Sequence, residues 1–115
     1  MSNVIASINP SASKRILLAA HWDTRRIADK DTERTDQPID GANDGASGVA
    51  VLMEIARIIS TQPLPEGVGI DLIFFDGEDD GEPENTSIQN NSQIWWCLGS
   101  QHWSKNKHQA NYSAY

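Results

Sequence analysis

Residues 70–79, IDLIFFDGED, decide the fold. Ile70–Phe75 (IDLIFF) reads as a buried-type strand, and Asp76 and Gly77 end it. The carboxylates of Glu78 and Asp79 follow at its carboxyl end. Upstream, Asp44 precedes the small residues Gly45, Ala46, Ser47 and Gly48. Val49, Leu52, Met53, Ala56 and Ile59 then recur at three-and-four spacing through Ser60, which predicts an amphipathic helix. Pro63 and Pro65, within Gln62–Gly67, terminate it. Earlier still, Arg15–Ala20 (RILLAA) is a short apolar run, ending at His21. Strand, helix, strand is a βαβ unit, so the fold class is α/β: part of a mostly parallel or mixed sheet flanked by helices. Asn3–Asn9 alternates Val4, Ala6 and Ile8 with smaller or polar neighbours, as an outer strand does, before a turn at Asn9, Pro10 and Ser11. Trp22–Asn43 is a polar loop of about twenty residues, a length that favours function over mere connection. Gly81–Gln93 reads as another loop, and Trp95–Lys107 as a last, short helix.

With 115 residues the chain accommodates one small domain, residues 1–115, and not two cores of normal size. The formal net charge of −7 argues against a nucleic-acid partner, which demands clustered Lys and Arg. The single Cys97 excludes an internal disulfide and any multi-cysteine metal cluster. No apolar stretch approaches membrane-spanning length, and Met1–Pro10 lacks the pattern of a secretory signal, which leaves localisation open.

In an open parallel sheet, ligands bind beyond the carboxyl ends of the strands. Those ends deliver His21 from one strand and Asp76, Glu78 and Asp79 from the other, while Asp44 opens the connecting helix at the same edge. One imidazole and two carboxylates suit zinc, whose catalytic sites take about three protein ligands plus an open position. Each residue also has a plainer reading. Asp44 suits a helix N-cap, His21 an ordinary strand-end histidine, and the acidic run a solvated face. Gly41–Gly48 has neither the Lys of a phosphate loop nor the spacing of a dinucleotide fingerprint. Trp22, Trp95 and Trp96 suit either a substrate pocket or, more commonly for large aromatics, a core.

Taken together, AHWDTR (Ala20–Arg25), PIDGANDGASGVAVLMEIAR (Pro38–Arg57) and DLIFFDGED (Asp71–Asp79) resemble the M28 zinc-peptidase family, and within it the glutaminyl-peptide cyclotransferase branch. WCLGSQHW (Trp96–Trp103) is similar to a segment that follows the acidic motif in bacterial members of that branch. The resemblance implies a zinc aminopeptidase-like fold, zinc as cofactor, and amino-terminal glutaminyl peptides or proteins as substrates. It also implies Asp44 and Asp79 as zinc ligands and Glu78 as the catalytic acid/base. His21 matches the histidine that binds a second zinc in the two-metal aminopeptidases, a position the single-zinc cyclotransferases keep without using it as a ligand. Asp79 stands where the wider family often has Glu, and Asp80 where an apolar or aromatic residue is expected. Relatives are often exported or periplasmic.

The resemblance stops at Tyr115, ahead of the family region that supplies the last zinc-binding His and a further Asp, and neither His102 nor His108 matches a motif. The expectation is a partial domain that by itself binds zinc weakly and does not turn over. Its alternatives are a zinc aminopeptidase and a non-catalytic remnant or interaction module that keeps the scaffold.

Overall fold

The computed structural model describes residues 1–79, 81, 95–106 and 112–114. Strand β1 (Val4–Ile8) is followed by β2 (Lys14–His21), helix α1 (Ala46–Thr61), β3 (Val68–Phe75), helix α2 (Leu98–Lys105) and β4 (Tyr112–Ala114). The four strands form one mixed sheet in the order β1-β3-β2-β4. β2 and β3 run parallel, with Lys14 opposite Val68 and His21 opposite Phe75, and α1 connects them as the βαβ reading requires. β1 lies antiparallel against the far side of β3 as the outer strand.

The apolar runs explain this order. β3 sits between β1 and β2 and buries Gly69 through Ile73, so every one of its side chains meets protein. On one face of the sheet, Leu52 of α1 packs against Ile70 and Leu72, joined by Ile55, Ala56 and Ile59 from the helix and Ile16, Leu18 and Ala20 from β2. Of the three-and-four spacing read from the sequence, Leu52, Ala56 and Ile59 face the sheet and Ile55 joins them, while Met53 is 63% exposed. On the other face, the Trp103 ring of α2 stands edge-on to Phe75, with centroids 6.4 Å apart. Asp71, in the middle of β3, is buried because Arg15 of β2 meets it through Nε and Nη2, while Nη1 donates to the Asn9 carbonyl oxygen at 2.7 Å. Both partners are nearly sealed from solvent, with side-chain exposures of 7% and 5%.

Three local expectations change. β2 is only partly buried, and among the described residues β4 pairs with its outer edge at Arg15 and Ile16. The last helix is shorter than Trp95–Lys107: Cys97 adopts the left-handed conformation (φ 56°), which no helix interior accommodates, so α2 begins at Leu98. β4 is new, being three residues long and below the length at which a period can be read. The loop expected over Gly81–Gln93, apart from Gly81, lies outside the described residues, as do Asp80 and His108.

Candidate metal centre

Parallel pairing brings the carboxyl ends of β2 and β3 to one edge, and the Trp22 N–H extends the ladder by donating to the Phe75 carbonyl oxygen at 3.0 Å. His21 is the last residue of β2, Glu78 and Asp79 stand just beyond β3, and Asp44 lies two residues ahead of α1. Ligand atoms of His21, Asp44 and Asp79 lie within 4.8 Å of one another. Asp44 is not the helix cap. The N-cap is Gly45, and no side chain caps the helix, so the Asp44 carboxylate is left to face His21, with Nε2 and Oδ1 3.1 Å apart.

The electrostatics of this group favour a cation. His21 Nδ1 lies 3.0 Å from the Asp23 carbonyl oxygen, which can only accept, so a ring protonated at Nδ1 would donate there. In the neutral ring this turns the Nε2 lone pair toward the carboxylates, the tautomer a metal ligand uses. Asp79 Oδ2 is buried without a hydrogen-bond partner. Burial, then the nearby Asp44 charge, push the Asp79 carboxyl above its ordinary range. Zinc bonds nitrogen and oxygen at about 2.0–2.2 Å. Closing the group to that distance falls to Asp44, whose side chain is 59% exposed and has room to turn. The residues present fit zinc.

The turn that carries Glu78 and Asp79 is held from two sides. The Asp23 carboxylate accepts the Glu78 N–H at 3.1 Å and the Asp79 N–H at 2.9 Å. From the other side, the amino end of α2 donates the Cys97, Leu98 and Gly99 N–H groups to the carbonyl oxygens of Glu78, Gly77 and Asp76. These are donors a helix start leaves without intrahelical partners. Gly99 allows this approach, since a Cβ there would stand 2.4 Å from the Asp76 carbonyl oxygen. Gly45, at φ 99°, does the same beside Asp23, where a Cβ would stand 2.5 Å from the carbonyl oxygen.

Asp23 lies within the AHWDTR segment, but the sequence reading gave it no role. The signal was its position two residues beyond His21, on the strand end that meets the acidic turn. Trp22 and Trp95 are not core, being 49% and 50% exposed, while the half-buried Trp96 stacks with the Arg25 guanidinium at 4.7 Å.

A mixed sheet that gathers an imidazole and carboxylates at the shared carboxyl edge of two parallel strands has the architecture of the zinc exopeptidases. The model of peptidase family M28 matches residues 3–115, and the chain belongs to that family. Among solved structures it is similar to glutaminyl cyclase of Bacteroides thetaiotaomicron bound to N-acetylhistamine, at 51% identity and a TM-score of 0.83. That match covers 97% of this chain and 38% of the other. It is also similar to a Zn-dependent exopeptidase from Parabacteroides distasonis, at 50% identity, a TM-score of 0.79 and the same coverage. The glutaminyl-peptide cyclotransferase of Bos taurus is 33% identical over 86 residues, 68% of this chain and 23% of that protein. The chain thus resembles glutaminyl cyclases of the M28 family and spans well under half the length of these relatives.

Proposed function

We propose that this chain supplies the zinc-ligand edge and the acid/base of a glutaminyl-peptide cyclotransferase, which converts an amino-terminal glutamine to pyroglutamate and releases ammonia. The observation that carries this reading is the convergence of His21, Asp44 and Asp79, with Glu78 on the same clamped turn, in a chain similar to glutaminyl cyclases. Asp44 and Asp79 would hold the zinc, with His21 beside them. When bound, zinc supplies Lewis acidity toward the side-chain carbonyl of the substrate glutamine. Glu78 accepts a proton from the substrate α-amine as its nitrogen bonds to that carbonyl carbon. It returns the proton to the departing amide nitrogen, so that ammonia leaves and the ring closes. The hydrogen-bonded backbone on both sides of Glu78 supports a fixed direction for its side chain through both transfers.

One observation favours hydrolysis of the first peptide bond instead: His21 sits inside the ligand group, where it could serve a second metal. The two readings separate in an assay of the zinc-loaded protein that carries this chain. The expected outcome is ammonia release from an amino-terminal glutaminyl peptide, with the Glu78→Gln variant slower by about 10²–10⁴-fold. Free amino acids released from other peptides, without ammonia, would overturn the cyclotransferase reading.

A further inference from the structure

Four of the eight glycines in this chain follow an aspartate: Asp40–Gly41, Asp44–Gly45, Asp76–Gly77 and Asp80–Gly81. This dipeptide is chemically labile. Glycine has no Cβ to shield its amide nitrogen, which attacks the side-chain carboxyl carbon of the residue before it. The new C–N bond closes a five-membered succinimide, while the carboxyl gives up its hydroxyl and the amide its proton, and the two leave as one water. Water then adds back. Addition at the main-chain carbonyl leaves the chain running through the side-chain carbon as isoaspartate, with no net change in mass.

The fold sets the three described pairs apart. Asp76 is held, since its carboxylate accepts the Ser2 N–H and its side chain is 15% exposed. Asp40 is exposed but lies outside the ligand group. Asp44 belongs to that group and has a side chain 59% exposed. Gly45 stands just ahead of α1, so its N–H has no intrahelical acceptor, and it has no other partner among the described residues. Nor does this position accept a bulkier residue that would shield the amide, because at φ 99° an added Cβ meets the Asp23 carbonyl oxygen at 2.5 Å. The close approach that sets Asp44 beside His21 therefore also fixes the labile dipeptide there.

We propose that Asp44–Gly45 is a self-modification site: the metal-free chain converts Asp44 to isoaspartate, and bound zinc, by holding the Asp44 carboxylate, prevents it. Isomerisation inserts one carbon into the backbone and removes one from the side chain, so the carboxylate no longer reaches its place against His21. The metal dependence rests on the zinc reading above. The cyclisation rests on the metal-free geometry alone.

The full chain, aged with zinc or with a chelator, tests this. Isoaspartate is located by digestion with a protease that cuts at aspartate but not at isoaspartate, followed by mass spectrometry. Without metal it should accumulate at Asp44, and on the order of ten-fold or more slowly at Asp76, which must first open locally. With free zinc at a hundred times the dissociation constant, about one chain in a hundred lacks the ion, so formation at Asp44 should slow on the order of a hundred-fold while Asp40 keeps its rate. The chain aged without metal should lose zinc-binding capacity in proportion to the isoaspartate at Asp44. Asp40→Glu, which removes the neighbouring reactive pair, should age in the same way. An unmodified Asp44 in the metal-free chain overturns the proposal, as does equal slowing of Asp40 and Asp44 by zinc, or an unslowed Asp44 in chain that binds zinc. If the chain binds no zinc, the proposed function fails, and the rate at Asp44 against that at Asp76 still decides the modification.

Discussion

Asp79 is a carboxylate placed where folding works against its charge. Its folded pKa lies above the ordinary value, first through burial and then through Asp44, so the ionised form subtracts from stability. The sign follows: this contribution favours the fold below the unfolded carboxylate range and is lost as pH rises through the raised folded value. Replacing Asp79 by Asn should therefore raise the thermal midpoint of the metal-free chain at neutral pH by roughly a few degrees, while removing its response to zinc. A lower midpoint in metal-free buffer would show that Asp79 is a structural residue. The carboxylates were legible from the sequence because strand ends and helix starts have predictable places. Asp23 was not, because its partners are 55 and 56 residues away and leave no trace in local spacing.

Two apolar runs and one amphipathic repeat sufficed to read the βαβ unit, since each element is long enough to show its period. Within that unit, the ion pair between β2 and β3 is the most sensitive element contact. Burial is the strongest influence opposing ionisation of Asp71, but the Arg15 hydrogen bond leads a group of interactions that together hold its carboxyl below the ordinary range. Removing one partner leaves the other charge buried, at a cost of about 3–5 kcal/mol. Asp71→Ala is expected to unfold much of the chain, as measured by far-UV circular dichroism. The double variant Arg15→Met, Asp71→Leu should recover most of that loss, because a packed apolar pair has no charge to strand. The ends of elements were harder to read: the left-handed Cys97 sets the start of α2 through backbone conformation, which composition does not encode.

At the scale of the molecule, the proposed ion would join three segments far apart in sequence: the end of β2, the approach to α1 and the turn after β3. Ligands that bind only the folded state stabilise it by mass action, about 2.7 kcal/mol at a hundred times the dissociation constant. Zinc should accordingly move the urea midpoint upward without changing the slope, and Asp44→Ala should abolish the shift while leaving metal-free stability within about 0.5 kcal/mol, because Asp44 caps nothing. An equal shift in Asp44→Ala would place the ion elsewhere. The pinned turn has one more effect. Leu98 N–H bonded to the Gly77 carbonyl oxygen, and Cys97 N–H to that of Glu78, return the chain to the point it left. Closing such an excursion costs only about 0.6 kcal/mol more for each doubling of its length. The ends at Gly77–Glu78 and Cys97–Leu98 therefore hold each other at little extra entropic cost for the sequence separation between them, and the carboxylates stay where these ends put them.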